Sequence, residues 1–113
     1  MFALFLTYSI GSLLLAALGI PLALRLVRPN PYYGFRIKVT LEDSELWYPV
    51  NQYFGQLQFF VGISTFLCSY LLYRLPNITI DAYALDVLGI FLLFCIPAIF
   101  IASLHLNRLK KKL

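Results

Sequence analysis

Three long stretches of this chain carry no Lys, Arg, Asp or Glu, and they constrain the fold more than any other feature. They are Phe2–Leu24, Tyr53–Tyr73 and Val87–Leu106, each at least 20 residues long. At a helical rise of about 1.5 Å per residue, roughly 20 apolar residues cross the hydrocarbon core of a bilayer. The stretches therefore predict an all-α integral membrane protein with three transmembrane helices.

The composition supports this prediction, because hydrophobic residues make up 61% of the chain and charged residues only 12%. A soluble domain has about 25% charged residues. We interpret residues 1–113 as a single membrane domain with helices at about 2–24, 41–73 and 84–107. The first helix is expected to remain uncleaved, since a signal peptide needs basic residues at its start and a shorter apolar core, and no Lys or Arg precedes Arg25.

The distribution of Lys and Arg predicts the orientation of the helices. The basic residues of the first connection and the C-terminal tail are Arg25, Arg28, Arg36, Lys38, Arg108, Lys110, Lys111 and Lys112, whereas the second connection has Arg74 with Asp81 and Asp86 nearby. Because cytoplasmic loops collect Lys and Arg, we expect the N-terminus outside and the C-terminus inside. The lipid bilayer, with anionic headgroups on the cytoplasmic side, is then the expected partner. Nucleic acid is not expected, since no reader module is present.

Each predicted span carries small or polar residues at spacings of three and four, which place them on one helix face. These stripes are Ser9, Ser12, Ala16, Gly19 and Ala23, then Asn51, Gly55, Gln58, Gly62, Thr65 and Ser69, then Cys95, Ala98, Ala102 and His105. Small residues let helices approach closely in lipid, and polar residues bond across the contact. We interpret the stripes as packing seams, and expect Gly55 and Gly62 to lie against the first helix.

A polar segment, residues 28–55, separates the first two spans and contains the only Trp. Pro29 and Pro31 end helices and favour extended backbone, and Gly34 permits a positive φ. We therefore predict that this segment begins with a short ordered loop on the cytoplasmic side.

The second helix is expected to start at the end of that loop. Thr40 is a suitable N-cap, and Asp43 three residues later resembles a capping-box acid, which places the helix start near Leu41. Pro49 is expected to kink the helix close to the membrane interface, and Trp47 is a residue type that favours the headgroup level.

The polar segment also contains a pattern with fixed gaps. It reads Arg28-x-Asn30-x-x-Tyr33-Gly34-Phe35-Arg36, then Thr40-Leu41, then Trp47-x-x-x-Asn51-x-x-x-Gly55. The pattern resembles the signature of the SdpI-type bacterial membrane proteins, a family named for an immunity protein against a secreted sporulation-delaying toxin. Ile37 departs from it, because Thr is common there in the family.

The resemblance implies the family's C-terminal three-helix unit, in multi-pass form, in the bacterial cytoplasmic (inner) membrane. It also implies an immunity-like or signalling role. The alternative is an accessory subunit of a larger membrane complex, and a homo-oligomer is a further possibility. In either case two interpretations of the motif stay open. In the first, a structural clamp, Arg28 and Arg36 pair with Glu42 or Glu45, and Asn30 and Asn51 bond backbone groups of the loop. In the second, the Arg and Asn groups form a docking face for a lipid headgroup or a partner protein.

The sequence does not point to an enzyme. It contains no Ser-His-Asp set, no HExxH motif and no phosphate-binding loop. No cofactor or metal is expected: we interpret His105 as an interfacial or packing residue, with ligation of a haem or chlorophyll metal as the alternative. Cys68 and Cys95 lack CxxC spacing and are interpreted as small apolar residues in helix contacts.

Overall fold

The computed structural model describes residues 1–30, 34 and 44–112. Within these ranges the chain forms three α-helices, α1 (Phe2–Ala23), α2 (Ser44–Tyr73) and α3 (Ile80–Lys112). Each of the three is long and apolar enough to cross a membrane, which confirms the predicted all-α fold with three candidate spans. The orientation of the helices, the order of the first connection and the kink near Pro49 stay predictions.

The helix α2 is central, because it packs against α1 along one side and against α3 along another. The side of α1 that faces α2 is made mainly of small residues, and most of the large side chains of α1 point outward. Its buried residues are Ser9, Ser12, Ala16, Gly19 and Leu22. By contrast, Ile10 and Leu14 are each 58% exposed. This arrangement suits a helix in a bilayer, where lipid chains solvate apolar side chains as well as a protein core does.

The helix α1 ends at Ala23, six residues before Pro29, so another feature of the backbone ends it. The Arg25 N–H donates to the Leu22 carbonyl at 3.1 Å, and the Leu26 N–H donates to the Pro21 carbonyl at 2.9 Å. With φ +60° at Arg25, these bonds form a Schellman motif, a helix end that normally uses Gly. The expectation that Pro29 ends this helix is therefore wrong, since the backbone leaves the helix before that residue.

The helix α3 starts at Ile80 and continues to Lys112, so it is longer at both ends than the predicted 84–107. Its start is fixed by Thr79, whose Oγ1 accepts a hydrogen bond from the Ala82 N–H at 3.1 Å. Asp81 lies in the first turn, where the helix dipole favours an acid. Asp81, which was expected near the second connection, is therefore part of the helix. The predicted cap at Thr40 and the predicted start at Leu41 lie outside the described residues.

Candidate functional site

The seam between α1 and α2 brings backbone against backbone. A Cβ atom at Gly19 would lie 2.5 Å from the Gly55 carbonyl oxygen, and one at Gly55 would lie 2.6 Å from the Gly19 carbonyl oxygen. A Cβ atom at Gly62 would lie 2.5 Å from the Ser12 carbonyl oxygen. No side chain fits at these separations, so glycine is required for the helices to approach this closely. The predicted close crossing at Gly55 and Gly62 is confirmed.

One polar side chain bonds across this seam. The Gln58 amide nitrogen donates to the Leu15 carbonyl at 2.9 Å, in the middle of both helices. Hydrogen bonds between membrane helices stabilise their association modestly, by about 0.6 kcal/mol on average. The second stripe therefore supplies both a close contact and a polar tie, as its composition predicts.

We call residues 24–30 and 44–56 the basic end of the bundle. The motif residues on α2 join the two parts of this end. Trp47 is completely buried, and its indole Nε1–H donates to the Val27 carbonyl at 2.8 Å. This bond joins α2 to the chain that follows α1. The indole ring therefore faces protein, and its depth at the headgroup level stays a prediction.

Asn51 lies one turn after Trp47 and is also buried, with 2% of its surface exposed. Its amide nitrogen donates to the Trp47 carbonyl at 3.1 Å. Gly34 has φ +104°, and a Cβ atom there would lie 2.6 Å from the Asn51 Oδ1. Gly34 therefore meets two requirements that only glycine satisfies, a positive φ and close contact with a buried side chain. We call Gly34, Trp47, Asn51 and Gly55 the buried clamp.

The two motif residues nearest α1 behave differently from the buried clamp. Arg28 is exposed, and its guanidinium forms no ion pair with Glu45 or any other residue that the structure describes. The Asn30 side chain donates to the Arg28 carbonyl at 2.7 Å, which is the bond from Asn to loop backbone that the sequence suggested. The remaining motif positions lie outside the described residues, as does Glu42; they are Tyr33, Phe35, Arg36, Thr40 and Leu41.

A second polar contact at the basic end is made by two residues that do not belong to the motif. The Arg25 Nε–H donates to the Gln52 Oε1 at 2.9 Å, which links the end of α1 to α2. Its signal in the sequence is weak: Arg25 is the first charge after the first span, and Gln52 belongs to a group of polar residues with Gln56 and Gln58 at one end of the second stripe.

Aromatic residues join the helices at the opposite end of the bundle. Tyr83 is completely buried and its hydroxyl donates to the Ser69 carbonyl at 3.2 Å. The Tyr8 hydroxyl donates to the Ala84 carbonyl at 3.0 Å, so α1 is tied directly to α3 there. The rings of Phe5 and Tyr73 stack with centroids 4.5 Å apart. Sequence reasoning missed this cluster, since its residues come from three helices and form no local motif.

The lone His and the two Cys residues show no constellation that binds a metal. The His105 ring packs against Tyr53 with centroids 4.3 Å apart, and Cys68 and Cys95 are free thiols, each partly buried. Among the described residues no group of three His, Cys, Asp or Glu side chains is close enough to hold a metal ion.

The fold and the basic end together define a class, a multi-pass membrane protein whose first two helices meet through a seam of small residues. A family model described as the SdpI/YfhL protein family matches residues 26–104, a range that contains the whole polar motif and most of the chain. The chain therefore belongs to the SdpI/YfhL protein family, and the resemblance seen in the motif is confirmed. The helix α1 lies outside the matched range. No curated protein and no solved structure matches the chain.

Proposed function

We propose that this chain is a non-enzymatic protein of the bacterial cytoplasmic membrane with an immunity or signalling role, and that the polar segment 28–55 is its working surface on the cytoplasmic side. The observation that supports the proposal is that the polar motif residues at the basic end fall into two groups, one buried and bonded and the other exposed. The buried clamp uses its polar groups internally, whereas the Arg28 guanidinium is exposed and has no ion pair within the described ranges.

This division matters because structural and docking roles make different demands on a polar group. A polar group that holds a fold together is buried and bonded, as Trp47 and Asn51 are, since an unpaired one would destabilise the folded state. A guanidinium at the surface keeps its planar set of donors available for a carboxylate or a phosphate. Arg28 therefore supports a docking face beside the clamp. The structural interpretation then applies to the buried motif residues, and the docking interpretation applies to Arg28.

Replacement of Arg28 by Gln and by Lys tests the docking role. Bacterial cells that express each variant are challenged with the secreted sporulation-delaying toxin, and survival is measured together with the amount of protein in the membrane. We expect Arg28→Gln to lose protection at a normal membrane level. Arg28→Lys is expected to lose much of it as well, because an ammonium group cannot reproduce the planar guanidinium.

A structural variant provides the matched control for this experiment. Trp47→Phe keeps an aromatic ring but removes the donor to the Val27 carbonyl, so we expect a lower membrane level, with protection falling in proportion. Full protection by Arg28→Gln at a normal level would overturn the docking role of Arg28. Protection and membrane level falling together in both variants would reduce the segment to a structural clamp.

Arg36 belongs to the same motif as Arg28 and carries the same guanidinium group. We propose that Arg36→Lys removes activity while the protein still accumulates in the membrane. Full protection by that variant at normal expression would restrict the docking face to the side of the segment nearest α1.

The cytoplasmic position of this surface rests on the proposed orientation, with the N-terminus outside. The exposed Asn77, between α2 and α3, supplies a labelling position on the outer face. In a chain whose two native Cys residues are replaced by Ala, Asn77→Cys is expected to react with a membrane-impermeant maleimide added to intact cells. Arg28→Cys is the matched control and is expected to react only after the membrane is opened. The reverse pattern would contradict the orientation.

A further inference from the structure

A groove of about 420 Å³ begins at the basic end and runs along the outside of the α1–α2 seam. Its lining residues are Ile20, Ala23, Leu24, Gln56, Phe59 and Phe60. Leu24 is 62% exposed and Phe60 is 64% exposed, so the groove is open at the side where lipid surrounds the protein. Apart from Gln56 at one end, its walls are apolar.

Arg25 stands at the polar end of this groove. It follows Leu24 directly, and its Nε–H donates to Gln52, which lies one helical turn from Gln56 on the same face of α2. This bond fixes the side chain through one nitrogen only. The two terminal amino groups of the guanidinium have no partner in the part of the chain that the structure describes.

The backbone around Arg25 also holds the residue in this position. Its left-handed conformation is unfavourable for a residue with a Cβ atom, yet both bonds of the Schellman motif depend on it. A strained residue that the surrounding bonds over-determine is a reason to look for a functional role. Here the strain places a cation between the end of α1 and the polar face of α2.

We propose that Arg25 and this groove form a binding site for one membrane phospholipid with an anionic headgroup. Phosphate oxygens of the lipid accept hydrogen bonds from the two terminal amino groups of Arg25, a geometry that guanidinium suits. One acyl chain lies in the groove against Leu24, Phe59 and Phe60. The site has a cation at one end and an apolar groove beside it. A phospholipid has a matching arrangement, with a phosphate at one end and an acyl chain beside it. The site uses no motif residue and does not depend on the proposed immunity role.

The test is native mass spectrometry of the full chain in detergent. Phosphatidylglycerol and phosphatidylcholine with identical acyl chains are titrated separately, and the dissociation constant of the first bound lipid is measured. We expect phosphatidylglycerol to bind the unaltered chain more tightly. Arg25→Gln should weaken that binding by about fivefold, the change expected from one basic residue near anionic lipid. Binding of phosphatidylcholine should weaken less, because its phosphate accepts the same bonds but its choline cation offsets the attraction.

Matched variants separate the site from general attraction. Arg108→Gln removes the same charge from an exposed residue of α3 that does not line the groove, and should change phosphatidylglycerol binding little. Gln56→Trp fills the groove and should weaken binding of both lipids, whereas Leu93→Trp, at a residue of α3 that is 68% exposed, should not. Thermal unfolding of each variant in the same detergent without lipid shows whether it is folded.

Four results would overturn the proposal. The first is unchanged phosphatidylglycerol binding by a folded Arg25→Gln variant. The second is an equal loss in both arginine variants, which would indicate diffuse attraction. The third is full binding by Gln56→Trp, which would show that the groove is not used. The fourth is competition by inorganic phosphate at the concentration of the lipid, which would assign Arg25 to a soluble anion instead.

Discussion

The helix α2 packs against its two neighbours in different ways. Against α1, the contact is made by backbone atoms around glycines, where a Cβ atom has no room. Against α3, the contact near the basic end is made by large side chains, because Leu46 and Val50 of α2 form a buried cluster with Leu106 of α3, and Leu109 packs against it. One seam depends on the absence of side chains and the other on their presence.

This difference indicates whether each seam is more sensitive to added or to removed side-chain atoms. In a bilayer, lipid chains solvate apolar side chains as well as a neighbouring helix does, so association depends on close packing and polar bonds. The α1–α2 seam has no space for added atoms, whereas the α2–α3 seam loses contacts when atoms are removed. The same distinction decides where the basic end can be altered, since Gly55 belongs both to the first seam and to the buried clamp.

The largest effect is expected from Gly62→Leu. The new side chain would meet the Ser12 carbonyl and the Ala16 backbone, so α1 and α2 would have to separate along their length. We expect the free energy of unfolding to fall by about 3 kcal/mol, the upper end of the range for overpacking, measured by detergent-induced unfolding in bicelles. Gly89→Leu is the control, because an added Cβ atom meets nothing within 4 Å. Equal stability of the two variants would contradict the close seam.

A smaller effect is expected when the α2–α3 seam loses atoms. Leu106 is buried at 3% exposure, and Leu106→Ala leaves a cavity beside Leu46 and Val50. We expect a loss of about 2 kcal/mol, at the lower end of measured Leu→Ala effects, in the same unfolding assay. Leu104→Ala, at a 40% exposed position two residues away, should cost much less. A loss at Leu106 no greater than at Leu104 would show that side chains do not hold this seam.

The smallest of these effects is expected from the polar tie of the first seam. Gln58→Leu removes the bond to the Leu15 carbonyl, which still accepts a bond within α1. We expect a loss of about 0.6 kcal/mol, the average for hydrogen bonds between membrane helices. Gln56→Leu, at an exposed position on the same helix, is the control. A loss as large as that of Gly62→Leu would mean that the polar bond, and not the steric fit, holds α1 against α2.

Local spacing predicted the first seam, because small residues at intervals of three and four can only form one helix face. It predicted the glycine contacts of α2 and the position of Ala23, whose nitrogen would lie 2.6 Å from a Cβ atom at Gly55, but it missed Leu22, which is buried on the same face of α1. Leu22 lies three residues after Gly19 and therefore on the same helix face, but the stripe was defined by small and polar residues and so left it out.

The remaining features depend on contacts that spacing does not reveal. The left-handed Arg25 was missed because Gly is the usual residue at that position of a helix end. The bond between Trp47 and the Val27 carbonyl joins residues 20 apart in the chain, so Trp47 was read from its type as an interfacial residue. The tyrosine cluster was missed for the same reason, since Tyr8 and Ala84 come together only when the bundle forms.

The most direct test of the account is the sign of two alanine substitutions, Gly55→Ala and Gly89→Ala, in one bicelle unfolding assay. Both replace a helical glycine, and Ala favours the helix by about 1 kcal/mol over Gly. At Gly89 the methyl group has open space, so stability should rise. At Gly55 it would lie 2.6 Å from the Gly19 carbonyl oxygen and 2.6 Å from the Ala23 nitrogen, so stability should fall. A rise at both positions would contradict the claim that α1 and α2 meet through their backbones.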